Sequence, residues 1–259
     1  MAANNFEIRE SNGFKYVEKG KGEKVLLLLH GLFGALSNFE SLIEHFSKDY
    51  TVSIPLLPIY EMPLEKTSVK NLAEYVRSFV EYKGYAEVIP IGNSLGGHIA
   101  LLYTLNYPES VKALVLTGSS GLFESAMGDS FPKRGDYDYI RKKTEDTFYD
   151  PQVATKELVD EVFDIVNDRE KVIRVLAMAK SAIRQNMADL IPQIENPTLL
   201  IWGADDKVTP AFVGEEFHKL LKNSELIFIP YCGHAAMMER PDEFNKLLES
   251  YLSKLIVSV

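Results

Sequence analysis

From residue 24 onward the chain alternates short apolar runs with longer stretches of helical periodicity. The apolar runs fall near 24–29, 51–54, 87–91, 111–117, 198–202 and 225–229. Helical patterns fall near 38–47, 68–83, 94–106, 211–221 and 241–255. Strands that are apolar throughout, separated by helices, predict a mostly parallel sheet covered on both faces. Ahead of this, segments 6–10 and 14–19 flank Asn12-Gly13, which reads as a hairpin turn.

The alternation stops between 121 and 197. No strand pattern is present there. Charged, helix-prone stretches cover 137–148, 155–166 and 169–180, with a shorter piece near 181–189, and 121–136 is rich in Gly, Ser and Asp. The block is too long for a structureless connection. It reads as an α-helical cap, residues 121–191, inserted into a core formed by 1–120 and 192–259. Pro192 and Pro197 mark the return to the core.

Composition narrows the function classes. The 259 residues are 46% hydrophobic and 25% charged, with a formal net charge of −9. An acidic chain fits neither nucleic acid nor an anionic membrane, both of which select a basic face. One cysteine leaves no intramolecular disulfide. The start, Met1 to Glu7, lacks the basic and apolar regions of a secretion signal. The expectation is a soluble, cytoplasmic protein whose partner is a small-molecule substrate. Neither metal-ligand spacing nor a nucleotide-binding glycine pattern is found, so no metal or cofactor is expected.

Chemistry enters at the ends of the apolar runs. Val88 to Ile91 leads into Gly92-Asn93-Ser94-Leu95-Gly96-Gly97, and a helical pattern follows at once. Gly-x-Ser-x-Gly between a strand and a helix is the context of a nucleophile elbow. Ser94 needs a base and an acid that orients it. Leu199 to Trp202 precedes a loop with Asp205 and Asp206, and Leu226 to Ile229 precedes a loop with His234. The ends of parallel strands share one edge of the sheet, where ligands bind. Val25 to Leu29 runs into His30-Gly31-Leu32-Phe33-Gly34. A loop there can add the Leu32 N–H to that of Leu95, making an oxyanion hole.

Together these motifs resemble the α/β-hydrolase superfamily, specifically small serine hydrolases with a helical cap. The resemblance spans nearly the whole chain. It rests on His30-Gly31, residues 92–97, Trp202-Gly203-Ala204-Asp205-Asp206 with Pro210, and Cys232-Gly233-His234 followed by Glu239-Arg240-Pro241. It implies an α/β-hydrolase fold and a triad in the chain order serine, acid, histidine. Matching Gly-x-x-Asp-x-x-x-Pro selects Asp206 as the acid, with Asp205 as the alternative. The segment 92–97 and Asn106-Tyr107-Pro108-Glu109 are similar to carbon–carbon bond hydrolases of aromatic degradation. His30 to Gly34 is more similar to small acyl esterases.

The chain departs from the carbon–carbon bond hydrolases in three places. Ala235 follows His234 where that group carries a tryptophan, and Val162 stands where it carries a cap arginine. Arg169, Arg174 and Arg184 lie outside the pattern. Pro55-Leu56-Leu57-Pro58-Ile59-Tyr60 replaces a glycine-rich loop and is expected to reshape the pocket mouth.

The resulting expectation is a serine hydrolase acting on a small to medium, largely apolar ester, with Ser94, Asp206 and His234 catalytic. A carbon–carbon bond hydrolase of a vinylogous diketone is the alternative. A slow-turnover small-molecule receptor is a third reading, disfavoured by the charged cap. Phe33, Phe123, Met127, Phe131, Phe148 and Met178 are the expected apolar lining of the substrate pocket. His30 is expected to hold its own loop by hydrogen bonding, His98 to be a packed helix residue, and Trp202 to pack under the acid loop.

Overall fold

The structure is a computed structural model that describes residues 6–34, 36–123 and 133–257. Its centre is an eight-stranded sheet. The strands are β1 (Arg9–Ser11), β2 (Phe14–Lys19), β3 (Val25–Leu29), β4 (Thr51–Pro55), β5 (Val88–Asn93), β6 (Leu114–Thr117), β7 (Thr198–Gly203) and β8 (Ser224–Ile229). The spatial order is β1-β2-β4-β3-β5-β6-β7-β8. The pairings β1–β2 and β2–β4 are antiparallel and the other five are parallel. The β1–β2 hairpin turns at Asn12 and Gly13, with φ of 51° and 80°, the left-handed pair that a tight hairpin turn needs.

Helices α1 (Glu40–Phe46), α2 (Val69–Lys83), α3 (Leu95–Asn106), α4 (Tyr137–Glu145), α5 (Lys156–Asn167), α6 (Arg169–Arg184), α7 (Ala211–Leu220), α8 (Ala236–Glu239) and α9 (Pro241–Val257) complete the described elements. The all-apolar strands follow from burial on two faces. Leu27 and Leu29 of β3 join Leu114, Leu116, Leu200 and Trp202 in a core shared with α2, α3 and α7. Leu26 and Leu28 point the other way, with Ile89, Ile91 and Val115, into a core shared with α1 and α9. Each such fully buried side chain contributes roughly 1.5–3 kcal/mol relative to an exposed one.

The segment between β6 and β7 carries α4, α5 and α6. Its two stems are joined: Met187 N–H donates to the Gly121 carbonyl and Asn186 Nδ2 to the Leu122 carbonyl, each at 2.8 Å. Asp168 separates α5 from α6, its carboxylate accepting from the N–H groups of Glu170 and Lys171. The pieces expected at 169–180 and 181–189 run together as α6 as far as Arg184, because no Gly or Pro interrupts them. Helix α8 and the 3₁₀ turns Leu64–Lys66, Pro108–Ser110, Pro151–Val153 and Ile191–Gln193 lie outside the helical patterns read from the chain, and the 3₁₀ turn Leu36–Phe39 begins two residues ahead of one. No helix among the described residues is long and apolar enough to cross a membrane.

Candidate active site

Ser94 sits between the end of β5 and the start of α3 with φ 55° and ψ −122°. A non-glycine residue in this region is strained by about 1–3 kcal/mol. Surrounding bonds hold it there: its N–H donates to the Thr117 carbonyl, and its carbonyl accepts from Gly97, His98 and Ser120 N–H groups. The flanking glycines are steric necessities. A Cβ on Gly96 would lie 1.9 Å from the Leu29 carbonyl oxygen, and one on Gly92 2.5 Å from that of Gly96.

His234 lies in the loop after β8 and is buried, as is Asp206 in the loop after β7. Asp206 Oδ2 is 2.9 Å from His234 Nδ1. Its other bonds are acceptances from Val208 and Thr209 N–H at Oδ1, 2.7 and 2.9 Å, and from the Thr209 hydroxyl at Oδ2, 2.8 Å. The carboxylate is thus ringed by donors. It fixes the imidazole with hydrogen on Nδ1 and leaves Nε2 as the basic nitrogen. Asp205, the alternative, is solvent-exposed. Trp202 lies under this loop, its Nε1 donating to the Thr209 carbonyl at 2.8 Å.

Two further residues set the imidazole's place. Asn93 Nδ2 donates to the carbonyls of Thr117 and His234, both at 3.0 Å, joining the ends of β5 and β6 to the histidine loop. Gly118, at φ 51°, lies so close that a Cβ there would be 2.8 Å from His234 Nδ1. Asn93 falls within the 92–97 motif, but nothing there announces a bond to the histidine loop, and Thr209 does not stand out in the sequence. Their signal was position alone, one residue before the serine and three after the acid.

The loop after β3 is braced from behind. His30 Nε2 accepts from the Leu57 N–H at 3.2 Å, so Nδ1 carries the hydrogen and donates to the Gly31 carbonyl at 2.9 Å. The Gly34 N–H donates to the same oxygen at 3.0 Å. Because the peptide is planar and trans, the Leu32 N–H points away from that oxygen. Burial holds the His30 pKa below the usual histidine range, which keeps Nε2 an acceptor. The Tyr60 hydroxyl donates to the Leu32 carbonyl at 2.7 Å. The unusual segment 55–60 thus supports this loop. Leu95 opens α3, where backbone N–H groups lack helical partners and favour negative charge.

A cavity of about 550 Å³ opens over these groups, lined by Ser94, His234, Leu32 and Leu95. Its opposite wall comes from α4, α5 and α6, through Ile140, Leu158, Val162, Val166, Val175, Leu176, Ala179 and Ala182. Phe33 and Phe148 line it. Two expected lining residues do not. Met178 is completely buried in the sheet-side core, since it faces a different side of α6 from Ala179. Phe123 is half exposed, with its ring 5.4 Å from that of Phe212. Met127 and Phe131 lie outside the described residues.

Val162 and Ala235 line the cavity where the carbon–carbon bond hydrolases would place arginine and tryptophan. Arg174 donates to the Met62 carbonyl at 2.8 Å, and neither Arg169 nor Arg184 joins the lining. The charged lining residues are Lys143, Asp146 and Lys207. His98 is fully buried in α3, with its pKa pushed down to about 4 by burial. Cys232 is buried as well, and burial pushes its thiol up to about 12, so it stays protonated and inert.

Comparison with known proteins gives concordant results. The sequence model of the alpha/beta hydrolase fold matches residues 24–148 and 165–241. A solved alpha/beta hydrolase enzyme from the metagenome of lagoon sediments at Mar Chica, Morocco, is 46% identical. Its alignment covers 96% of this chain and 98% of that one, with a TM-score of 0.80. A putative lipase from Acinetobacter baumannii AYE is 28% identical with a TM-score of 0.82, covering 98% and 93%. A 2-hydroxy-6-oxononadienedioate/2-hydroxy-6-oxononatrienedioate hydrolase from Pseudomonas sp is 27% identical, covering 95% of this chain and 94% of its own.

Proposed function

The chain belongs to the alpha/beta hydrolase fold family and is a hydrolase, and on that premise we propose that it is a serine carboxylesterase acting on small to medium, largely apolar acyl esters. One observation carries the reading. Ser94 stands at the base of an aliphatic cavity that also holds His234, whose Nδ1 is seated on the buried Asp206 carboxylate.

In this mechanism His234 Nε2 takes the Ser94 proton, and the alkoxide attacks the ester carbonyl. The developing oxyanion is held by the N–H groups of Leu32 and Leu95. The imidazolium then protonates the departing alcohol, leaving an acyl group on Ser94. Water, activated by His234, releases the acid. Asp206 stabilises the imidazolium throughout. The α4–α6 insertion acts as the cap, with its aliphatic wall receiving the acyl chain.

The carbon–carbon bond hydrolase reading draws support from the 27% identical Pseudomonas relative. Val162 and Ala235 count against it, since neither supplies the cation or the ring that the resemblance leads one to expect at those positions, and the cations that do line the cavity are Lys143 and Lys207 instead. Fluorophosphonate labelling of wild type but not Ser94→Ala, followed by a panel of p-nitrophenyl esters of increasing chain length, tests the first reading. Absence of labelling overturns it. Bleaching of a coloured ring-cleavage product, with esters left intact, would select the second.

A further inference from the structure

Glu239 ends α8, one short helix beyond His234, and its side chain is buried. Its carboxylate accepts two backbone hydrogen bonds. Oε2 takes the N–H of Gly233 at 2.5 Å and Oε1 the N–H of Asp150 at 2.6 Å. Gly233 directly precedes His234, and Asp150 lies in the insertion between α4 and α5. One carboxylate therefore joins the histidine loop to the insertion.

The two segments also touch directly. The His234 N–H donates to the Thr147 carbonyl at 2.9 Å. A Cβ on Gly233 would lie 2.6 Å from that carbonyl oxygen and 2.8 Å from Phe148 Cα. Contact this close leaves the loop little freedom to shift. The neighbouring Arg240 guanidinium donates to the Tyr231 carbonyl at 3.1 and 2.8 Å, where the backbone stands at φ 53°. The Glu239-Arg240 pair thus holds both sides of the turn that delivers the imidazole.

The chemistry selects a carboxylate here. Two N–H donors converge on a group that only accepts, and charge-assisted bonds of this kind are stronger than neutral ones. Glutamine would offer one accepting oxygen and set its NH₂ against the other N–H.

We propose that Glu239 is a positioning residue for His234, fixing the imidazole's reach toward Ser94 by clamping Gly233 to the Thr147–Asp150 segment of the insertion. The proposal rests on reading His234 as the catalytic base. Misplacing a base by about an ångström is enough to cost turnover on the order of 10²-fold, so loosening one anchor is expected to cost less.

The test uses the full chain with Glu239→Ala and Glu239→Gln. Fluorophosphonate titration counts active sites, and kcat per titrated site and KM are read on p-nitrophenyl butyrate alongside thermal melting. Loss of the anchor is expected to lower kcat per titrated site about tenfold in Glu239→Ala. Glu239→Gln should fall between it and wild type, with KM within about twofold in both. A purely structural role would lower the melting temperature or the number of titrated sites and leave kcat per site unchanged; that result overturns the proposal. Should Glu239→Ala fail to fold, Glu239→Gln decides on the same criterion. Wild-type protein that takes up no probe overturns the reading of Ser94 and His234, and this proposal with it.

Discussion

The floor and the roof of the cavity are built on different physics. The floor, at the C-terminal ends of β3, β5, β6, β7 and β8, is held by directional bonds and backbone contacts. Asp206 accepts four hydrogen bonds, Asn93 ties two carbonyls, and Gly96 and Gly118 admit no side chain. The roof, from α4, α5 and α6, is mostly aliphatic, with Tyr139, Lys143 and Thr144 of α4 as its polar members, and the aliphatic contacts depend on shape. Directional constraints tolerate almost no substitution, whereas aliphatic walls accept changes of volume. Reaction chemistry should therefore break at the floor and substrate preference should drift at the roof.

The sharpest contrast comes from Ser94→Ala. On the proposed reading, turnover should fall on the order of 10⁶-fold with the fold intact, the scale seen when a nucleophile is removed from a triad enzyme; ester kinetics with circular dichroism measure it. Gly118→Ala adds only a methyl group, yet it strains a φ of 51° and presses on the imidazole. We expect kcat to drop about 10²-fold. A variant within twofold of wild type would show the floor to be more compliant than its contacts imply.

At the seam between the two regions lies His98, whose ring would be 3.7 Å from a Cβ on Gly121. Its folded-state pKa of about 4 lies below the unfolded value near 6.5. The unfolded chain thus binds the extra proton first. The stabilising contribution is complete above pH ~6.5 and is lost as pH falls toward 4. Between pH 7 and 4.5 the loss should be about 2–3 kcal/mol. Urea unfolding of wild type and His98→Leu at both pH values should show a smaller acid decline in the variant.

Smaller effects test each side separately. Tyr60→Phe removes the hydroxyl bonded to the Leu32 carbonyl and should cost about 1 kcal/mol, read as a several-fold loss of kcat with KM unchanged. Val162→Ala enlarges the roof. It should move kcat/KM by a few-fold toward longer acyl chains and leave acetate ester turnover unaltered. Equal changes on short and long esters would erase the distinction between roof and floor.

The same division explains what was legible in the chain. The floor is written in local motifs, because tight turns demand glycine and the proposed chemistry demands particular side chains. Gly92, Ser94, Gly96, Asp206 and His234 therefore announce themselves in order. The roof has no such grammar. Helix α6 packs both Met178 and Ala179 into the core, yet only Ala179 also lines the cavity, so hydrophobicity alone does not say which residue meets substrate. Phe123 is apolar yet half exposed. Asn93 and Glu239 belong to the quoted motifs and Thr209 to none, but the roles of all three are hidden in the chain for another reason. Asn93 and Glu239 bond to backbone groups brought close only by folding, Glu239 to Asp150 across 89 positions of sequence, and Thr209 meets the His234 ring across 25.

Because the stems at 121–122 and 186–187 leave and rejoin the sheet side by side, this scaffold invites exchange of its upper helices for those of a relative. The stitch at 147–150 sets the terms of any such transplant. A chimera that keeps the native 231–240 turn but imports a foreign stretch opposite it inherits mismatched halves of one joint. A graft that carries both pieces together moves as a matched set.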